Sequence, residues 1–528
     1  MISNAFMLNQ CWRLANQAGM RRFAASLANP GDVQRRHLLE LVRRNRQSAF
    51  GQRCNFSHIT AAEDYRTSVP LQTWSDIAPW VERIRGGETA VLTTDPVTRL
   101  VPTGGSSGGA KLIPWTRGLG REFSAAIAPW MGDLHARYPE IRHGPAYWSI
   151  SPLAEIQDDS AIPIGFDDDS AYLGAALSGL VRPLFAAPSA LRFITDVETF
   201  RYATLRCLLA RQELRLISVW HPSFLHLLLD ASLQHRNELL NDLANGGMSR
   251  TLPAAVKRAI EPWMKPAPRR AAALEQVDWN DIRNLWPHLA VVSCWEDGAA
   301  ALPAAALQRR IGTVPLQPKG LLATEAAISI PWRGRYVAIP TGSVFEFITP
   351  AGASRWIDEL ETGQTYEVAV TNAGGLWRYR LGDQVRVDSF IDRTPCLSFL
   401  GRSGVVSDLV GEKLEESFVA QCFSKVLTSA SFALLAPNGD GSDGYTVFSD
   451  IPLGPTECSC LDAHLATNPT WKSARRLGQL APLRSQLVGT HASAVWLTHR
   501  RGTCLGAIKP AVLDADRSWS ARFAEHIP

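Results

Sequence analysis

The chain lacks any apolar run close to the roughly 20 residues that a membrane-spanning helix needs. It also lacks internal repeats and low-complexity tracts. Neither sign of charge dominates, since 54 lysine and arginine residues face 50 aspartate and glutamate residues. This balance gives no reason to expect nucleic acid or an anionic membrane as a partner. With 528 residues, 46% of them hydrophobic, the chain is long enough for a large core and at least two domains.

Cysteines are few and scattered. The chain has nine, and only Cys458 and Cys460 lie close together in sequence. The odd number and the absence of zinc-type spacing predict reduced thiols in a cytoplasmic protein. The first 31 residues contain no Asp or Glu, a composition that also occurs in transit peptides. We interpret them instead as an amphipathic opening helix, from Met7 to Leu27.

Helical and strand-like segments alternate through most of the chain. Helices are predicted at 200–214 and 224–241, on either side of a strand at 215–220. Such alternation is typical of an α/β fold. The pattern of helical and strand-like segments changes near residue 401. This change predicts a large N-terminal domain, residues 1–401, and a smaller C-terminal α+β domain, residues 402–528.

The most distinctive stretch is Thr103–Lys111, with the sequence Thr-Gly-Gly-Ser-Ser-Gly-Gly-Ala-Lys. Backbone N–H groups and hydroxyls of such a loop can surround an anion, and its lysine adds a charge for phosphate. It is not a Walker A loop, because Ala110 precedes the lysine and Leu112 cannot hold magnesium. Pro114 predicts extended chain after the loop rather than a helix. A phosphate loop between two strands is typical of enzymes that activate carboxylic acids by adenylation, although a flexible connection is the common alternative.

Two further stretches carry carboxylates. Thr324 and Glu325 follow a predicted strand, where a carboxylate is well placed to hold Mg²⁺ between phosphates; a helix N-cap pair is the alternative interpretation. Gly382 permits a tight turn, and Asp383 can accept hydrogen bonds from both ribose hydroxyls of a nucleotide; a β-turn aspartate is equally compatible. Gly401-Arg402 then lies at the predicted boundary between the two domains, where a hinge is expected.

Taken in order, these stretches resemble the adenylate-forming, firefly-luciferase-like superfamily. Within it, the chain is most similar to the acyl acid–amido synthetase family first known from plant auxin-responsive genes (the Gretchen Hagen type), in its bacterial form. Phe345–Ile348 and Gly375–Asp383 look like the most distinctive signatures of that family. One departure is Gly109-Ala110, where the superfamily usually has a Gly-x-Pro triplet.

The resemblance implies a role for each matching position. Lys111, Glu325 and Lys509 are the expected catalytic residues, Lys509 being the mobile lysine of a terminal motif, and Glu325 is also the expected Mg²⁺ ligand. The residues expected to bind ATP are Thr103, Ser106, Ser107, Gly108, Thr324, Asp383 and Arg402.

The implied fold is an adenylate-forming α/β fold with a mobile C-terminal domain, and the implied cofactors are ATP and Mg²⁺. The implied enzyme is an AMP-forming ligase that converts a small carboxylic acid into an acyl-adenylate and passes the acyl group to an amine, expected to be an amino acid. A monomer or weak dimer is expected, in the cytoplasm, with no nucleic acid or membrane as partner.

Two alternatives stay open. The first is the same adenylation chemistry with a thiol acceptor, either coenzyme A or a carrier protein. The second is a catalytically silent relative that binds a nucleotide or an acyl ligand. Retention of Glu325, Asp383 and Lys509 favours an active enzyme.

Overall fold

A computed structural model of the chain describes residues 4–103, 111–150, 160–165, 179, 181–220, 222–297, 301–402, 406–427, 430, 432–489, 492, 495 and 512–525. The chain divides into two units. The first comprises residues 1–102 and 112–401, and the second comprises 402–528 together with 103–111. The assignment of an adenylation role to one domain and a mobile role to the other stays a prediction.

The first unit opens with two long helices, which agrees with the predicted helical opening. Pro30, the first residue of the second helix, lacks an N–H that the first turn would leave unpaired anyway. A later long helix begins after Thr116, whose Oγ accepts from the Leu119 N–H at 3.1 Å. The helices of this unit are α1 Asn4–Ser26, α2 Pro30–Asn45, α3 Ala49–Arg53, α4 Ala62–Ser68, α5 Trp74–Arg85, α6 Arg117–Arg137, α7 Val197–Leu209, α8 Pro222–Gln234, α9 Arg236–Asn245, α10 Ala254–Ile260, α11 Pro268–Glu275, α12 Ile282–Leu285 and α13 Ala301–Ile311.

Shorter 3₁₀ turns connect several of these helices, at Phe56–His58, Pro139–His143, Arg182–Leu184, Ser189–Phe193 and Glu261–Trp263. The single helix predicted at 224–241 is in fact two, α8 and α9, with His235 between them. None of the helices in the described part of the chain is both long and apolar enough to cross a membrane.

A four-stranded parallel sheet forms the α/β part of the first unit. Its strands are β3 Ala146–Trp148, β4 Leu216–Ser218, β5 Val291–Cys294 and β6 Leu316–Pro318. They lie in the order β3-β4-β5-β6, and each neighbouring pair is parallel. The carboxyl ends of all four strands therefore meet at one edge, the usual location of ligands in such sheets.

The second large sheet has seven strands in the order β10-β9-β11-β12-β13-β8-β7. Its strands are β7 Ser329–Trp332, β8 Arg335–Ala338, β9 Val344–Ile348, β10 Ser354–Trp356, β11 Thr365–Thr371, β12 Tyr379–Ile391 and β13 Thr394–Arg402. A separate pair, β1 Val97–Thr103 and β2 Lys111–Thr116, precedes both sheets in the chain. Pro114 lies within β2, so the predicted extended chain is confirmed.

Two of the apolar clusters formed by the described residues pack helices of the first unit against its sheets. One packs α2 and α5 against the seven-stranded sheet around Trp377, which is completely buried. The other packs α1 and α6 against residues of β4, β5, β7 and β8. These four helices thus cover the sheets, and the predicted amphipathic opening helix, α1, is one of them.

The second unit combines a small sheet with helices, as the predicted α+β texture requires. Its elements are β14 Val406–Ser407, β15 Leu414–Glu415, α14 Glu416–Val426, β16 Ala433–Pro437, β17 Tyr445–Ser449, α15 Pro455–Leu465, α16 Pro469–Arg476, β18 Arg484–Leu487 and α17 Trp519–Ala524. Strands β16 and β17 are antiparallel, whereas β17 and β18 are parallel. Before β15, the buried carboxylate of Glu412 accepts from the N–H groups of Leu409 and Val410, and burial together with the charge of Asp408 raises its pKa.

Candidate active site

The predicted phosphate loop connects two paired strands, because β1 ends at Thr103 and β2 begins at Lys111. Three of its predicted ATP ligands, Ser106, Ser107 and Gly108, lie outside the described residues, and so does Lys509. Arg402 is the last residue of β13. The roles of all these residues stay predictions.

Thr324 and Glu325 lie in a turn between β6 and β7. Leu322 and Ala327 pair across this turn, and the Ala323 N–H donates to the Ala326 carbonyl at 2.9 Å. The prediction that the pair directly follows a strand is therefore wrong, because β6 ends at Pro318 and the chain forms a separate turn. The alternative helix N-cap is also absent here, since the described chain continues from this turn into β7. Glu325 is only 4% exposed.

A buried asparagine anchors this turn to the signature segment. The Asn372 side-chain amide donates to the Glu325 carbonyl at 2.7 Å. Its carbonyl oxygen accepts from the N–H groups of Gly374 and Leu376, at 2.9 and 3.1 Å. With both ends of its amide engaged, Asn372 fixes the backbone of Glu325 relative to the loop that leads into β12.

The neighbouring residue ties the same loop to β2. The Ala373 carbonyl accepts from the Thr116 hydroxyl at 2.9 Å, and the Ala373 N–H donates to the Glu122 carboxylate at 3.1 Å. A Cβ on Gly374 would lie 2.6 Å from the Pro114 carbonyl oxygen, so only glycine fits this close approach. The loop at 372–374 therefore brings together β2, the Glu325 turn and the segment that ends at Asp383.

Glu122 connects this loop to α2. Its carboxylate accepts from the Ser343 hydroxyl at 2.8 Å and lies 2.8 Å from His37 Nε2. Burial lowers the pKa of His37, but the hydrogen bond and charge of Glu122 outweigh it, so the pKa is raised. Sequence reasoning missed Glu122, because a single glutamate inside a helix carries no motif; Asn372 was also missed, although it adjoins the signature.

Asp383 lies in the interior of β12 rather than after a turn. Glu367 pairs with Gln384 and Ala369 pairs with Arg380, so β12 bulges between these positions. Gly382 has φ of 77° at the bulge, a conformation that glycine adopts without strain. The strand continues through the bulge, so the glycine serves a bulge here, and the alternative of a β-turn aspartate at Asp383 is wrong. Bulges re-aim side chains, and Asp383 is left 5% exposed.

The two signature segments meet in a buried ion pair. The Arg378 guanidinium donates to both carboxylate oxygens of Glu346, at 2.8 and 2.9 Å. It also donates to the carbonyl oxygens of Arg66 and Val69, at 2.8 and 2.7 Å. The neighbouring Trp377 indole N–H donates to the Leu92 carbonyl at 2.9 Å. Most of the signature therefore holds the N-terminal segment against the sheet, and Asp383 is the member that the resemblance assigns to a ligand.

The donor set is compatible with Mg²⁺. In the described part of the chain no group of three or more His, Cys, Asp or Glu residues lies close enough to hold a metal ion. Mg²⁺ in nucleotide sites is usually bound through one or two carboxylates and the substrate phosphates, with water completing its shell. A single carboxylate at Glu325 satisfies that requirement.

The chain is similar to known proteins over most of its length. A family model described as the GH3 family N-terminal domain matches residues 19–316, and one described as the GH3 family central domain matches 336–402. The indole-3-acetic acid-amido synthetase GH3.2 of Arabidopsis thaliana is 25% identical over 464 residues, covering 81% of this chain and 83% of the relative. The indole-3-acetic acid-amido synthetase GH3.8 of Oryza sativa subsp. indica is 24% identical, covering 79% of this chain and 73% of the relative.

Among solved structures, the GH3.15 acyl acid amido synthetase in complex with 2,4-DB has a TM-score of 0.69 and 19% sequence identity. The match covers 97% of this chain and 96% of that chain. The predicted adenylate-forming α/β fold is confirmed by this similarity. The relatives are named amido synthetases, so the predicted enzyme class, a ligase of this type, is confirmed as well. Since the first family model alone spans more than half of the sequence, the chain belongs to the GH3 family.

Proposed function

We propose that this chain joins a carboxylic acid to the amine of an amino acid in two steps, through an acyl-adenylate. In the first step a carboxylate oxygen attacks the α-phosphorus of ATP, and pyrophosphate leaves. In the second step the amine attacks the acyl carbonyl carbon, AMP leaves, and the nitrogen loses a proton. The printed names of the relatives, which refer to indole-3-acetic acid and to acyl acids, support an organic acid as the substrate.

One observation carries this proposal, namely the junction at Asn372 and Ala373. Three segments far apart in sequence meet there: the strand that leaves the phosphate loop, the turn with Glu325, and the start of β12. A core that only needed stability would not require these three segments to share one loop. An enzyme that holds phosphates, a metal and a ribose at one nucleotide does require it.

Each proposed role follows from the chemistry of its side chain. Glu325 would hold Mg²⁺, which supplies charge neutralisation for the phosphates when bound. The Asp383 carboxylate would accept hydrogen bonds from the ribose hydroxyls, and the Thr324 hydroxyl would donate a hydrogen bond to an α-phosphate oxygen. Lys111 and Lys509 would balance the charge that develops on the phosphate oxygens as pyrophosphate departs. Positioning and charge balance are the main means by which proteins accelerate such transfers.

Isotope exchange tests the proposal. Purified protein, ATP and Mg²⁺ are expected to exchange labelled pyrophosphate into ATP only when a suitable acid is present. Adding a mixture of the 20 amino acids should then give an N-acyl amino acid faster than coenzyme A gives a thioester, as followed by mass spectrometry. Tight ATP binding without exchange over a broad acid panel would support a silent binder, and an acyl-coenzyme A product without amide would support the thioester alternative.

The proposed ribose contact predicts a defined loss in Asp383→Ala. Hydrogen bonds to a charged group contribute about 1.5–3 kcal/mol each, so ATP affinity should fall about tenfold or more by calorimetry. Asp388→Ala is the matched control, because Asp388 lies on the same strand but is exposed. Unchanged ATP affinity in a folded Asp383→Ala protein would refute the ribose assignment.

A further inference from the structure

A row of polar side chains crosses the four-stranded parallel sheet near its carboxyl edge. Trp148 pairs with Ser218, Ser218 with Ser293, and Ser293 with Gln317. Residues paired in this way point to the same face of a sheet. The Gln317 side-chain oxygen accepts from the Trp130 indole N–H at 3.3 Å, so this face is the one that α6 covers.

Lys319 completes the row. It follows β6 directly, is only 3% exposed, and donates from Nζ to the Ser218 hydroxyl at 2.6 Å. The ammonium also lies over three indole rings, 4.7 Å from the centre of Trp220, 5.2 Å from Trp130 and 5.7 Å from Trp148.

A buried ammonium is costly, and the described surroundings stabilise it through polar and ring contacts. Removing a charge from water carries a large penalty unless other groups compensate for it. The faces of tryptophan rings attract cations and offset part of that penalty. A buried basic side chain with polar neighbours is a common feature of ligand sites, where it meets a group of opposite charge or an oxygen acceptor.

Two neighbours in the row are buried polar groups. Ser293 Oγ and Gln317 Nε2 have no hydrogen-bond partner among the described residues. Buried polar groups in proteins are almost always hydrogen-bonded, so such atoms indicate a partner that belongs to a ligand or to solvent. Together with the Lys319 ammonium they offer donors, and donors select an oxygen acceptor.

The position of the row favours a substrate as that partner. Ser218 and Trp148 are the last residues of their strands, Trp295 follows β5, and Lys319 follows β6. Ligands of parallel α/β sheets bind outside the carboxyl ends of the strands. The Trp220 ring, 4.7 Å from the ammonium, lies 5.4 Å from the Trp295 ring, and such a pair of indoles suits a flat or extended apolar body.

We propose that this row, which we call the Lys319 row (Ser218, Ser293, Gln317 and Lys319), selects acids that carry a second oxygen acceptor remote from the reacting carboxylate. A hydroxyl, keto or second carboxylate group would accept from Lys319 and Gln317, while the indole rings contact the carbon skeleton. The inference rests on the proposed function, because it assigns the acid-binding end of the same enzyme.

Matched pairs of acids test this selection with the unmodified protein. Acid-dependent pyrophosphate exchange is measured for phenylacetate against 4-hydroxy- and 4-carboxyphenylacetate, and for hexanoate against adipate. The acceptor-bearing member of at least one pair is expected to show a kcat/KM higher by about tenfold or more, because the parent acid offers no acceptor to Ser293 Oγ and Gln317 Nε2, which have no hydrogen-bond partner among the described residues.

Lys319→Met is the informative variant, since it keeps most of the length of the unbranched side chain and removes its charge. The ratio of kcat/KM within the preferred pair should fall to about one. Lys257→Met, at an exposed position on α10, should keep the ratio of the unmodified protein. The ratio does not depend on how much of a preparation is folded, because both acids are measured on the same sample.

The outcomes separate this inference from the proposed function. Exchange with the parent acids but no preference in any pair would overturn the selection by the Lys319 row and leave adenylation intact. A preference that persists in Lys319→Met would overturn it too. If the unmodified protein showed no exchange with any acid, the proposed adenylation and the selection by the Lys319 row would both be contradicted.

Discussion

Glu325→Gln is expected to lower kcat for acid-dependent pyrophosphate exchange by about 10²–10³-fold. The substitution preserves the shape of the side chain and removes the negative charge that would hold Mg²⁺ beside the phosphates. The backbone should stay in place, because Asn372 binds the carbonyl of Glu325 and not its carboxylate. The loss should therefore appear in catalysis and not in folding.

Metal dependence distinguishes this role from a structural one. The Mg²⁺ concentration for half-maximal exchange should rise in Glu325→Gln, whereas thermal unfolding should stay close to that of the unmodified protein. Glu361→Gln, at an exposed position in the same unit, is the control and should change neither quantity. A Glu325→Gln protein with full activity and unchanged Mg²⁺ dependence would remove Glu325 from the metal site.

Arg378→Ala is expected to reduce the free energy of unfolding by about 3–5 kcal/mol. Its guanidinium side chain is 7% exposed and the Glu346 carboxylate 3% exposed, so the substitution leaves a negative charge buried without its bidentate partner. It also removes the donors to the Arg66 and Val69 carbonyl oxygens. Urea unfolding followed by circular dichroism measures the change.

The neighbouring Arg380 provides a matched comparison. Arg380, on β12, pairs with Glu367, on β11; the Arg380 side chain is 42% exposed and the Glu367 side chain 10% exposed. Water reaches the Arg380 guanidinium and screens its charge, so Arg380→Ala should cost less than Arg378→Ala, about 1 kcal/mol. Adding Glu346→Leu to Arg378→Met should recover part of the lost stability, because no buried charge is left alone. Equal losses in Arg378→Ala and Arg380→Ala would contradict the buried-pair interpretation.

The signature Gly375–Asp383 shows how a motif can identify a family without stating the role of each member. The sequence pattern pointed to a nucleotide site, and the family is confirmed. Yet Trp377 and Arg378 make structural contacts in the core, with Leu92 and Glu346. Side chains that lock a fold and side chains that bind a ligand can be equally specific in sequence, so only their contacts separate the two.

Features that depend on local physics could be predicted from the order of the amino acids. Helical periodicity located the opening helix α1, Pro114 required extended chain, and the order of the motifs identified the family. These features follow from backbone sterics and from the spacing of apolar residues, which act over a few positions.

The tertiary structure alone decided which distant residues meet. Ala373 bonds to Glu122, 251 residues away, and Lys319 bonds to Ser218, 101 residues away. The bulge at Gly382 is visible only in the pairing of β12 with β11, whose register shifts between Glu367 and Ala369. Such contacts depend on the path of the whole chain and on strand register, which no short segment encodes, because a register is set by what two strands bury together.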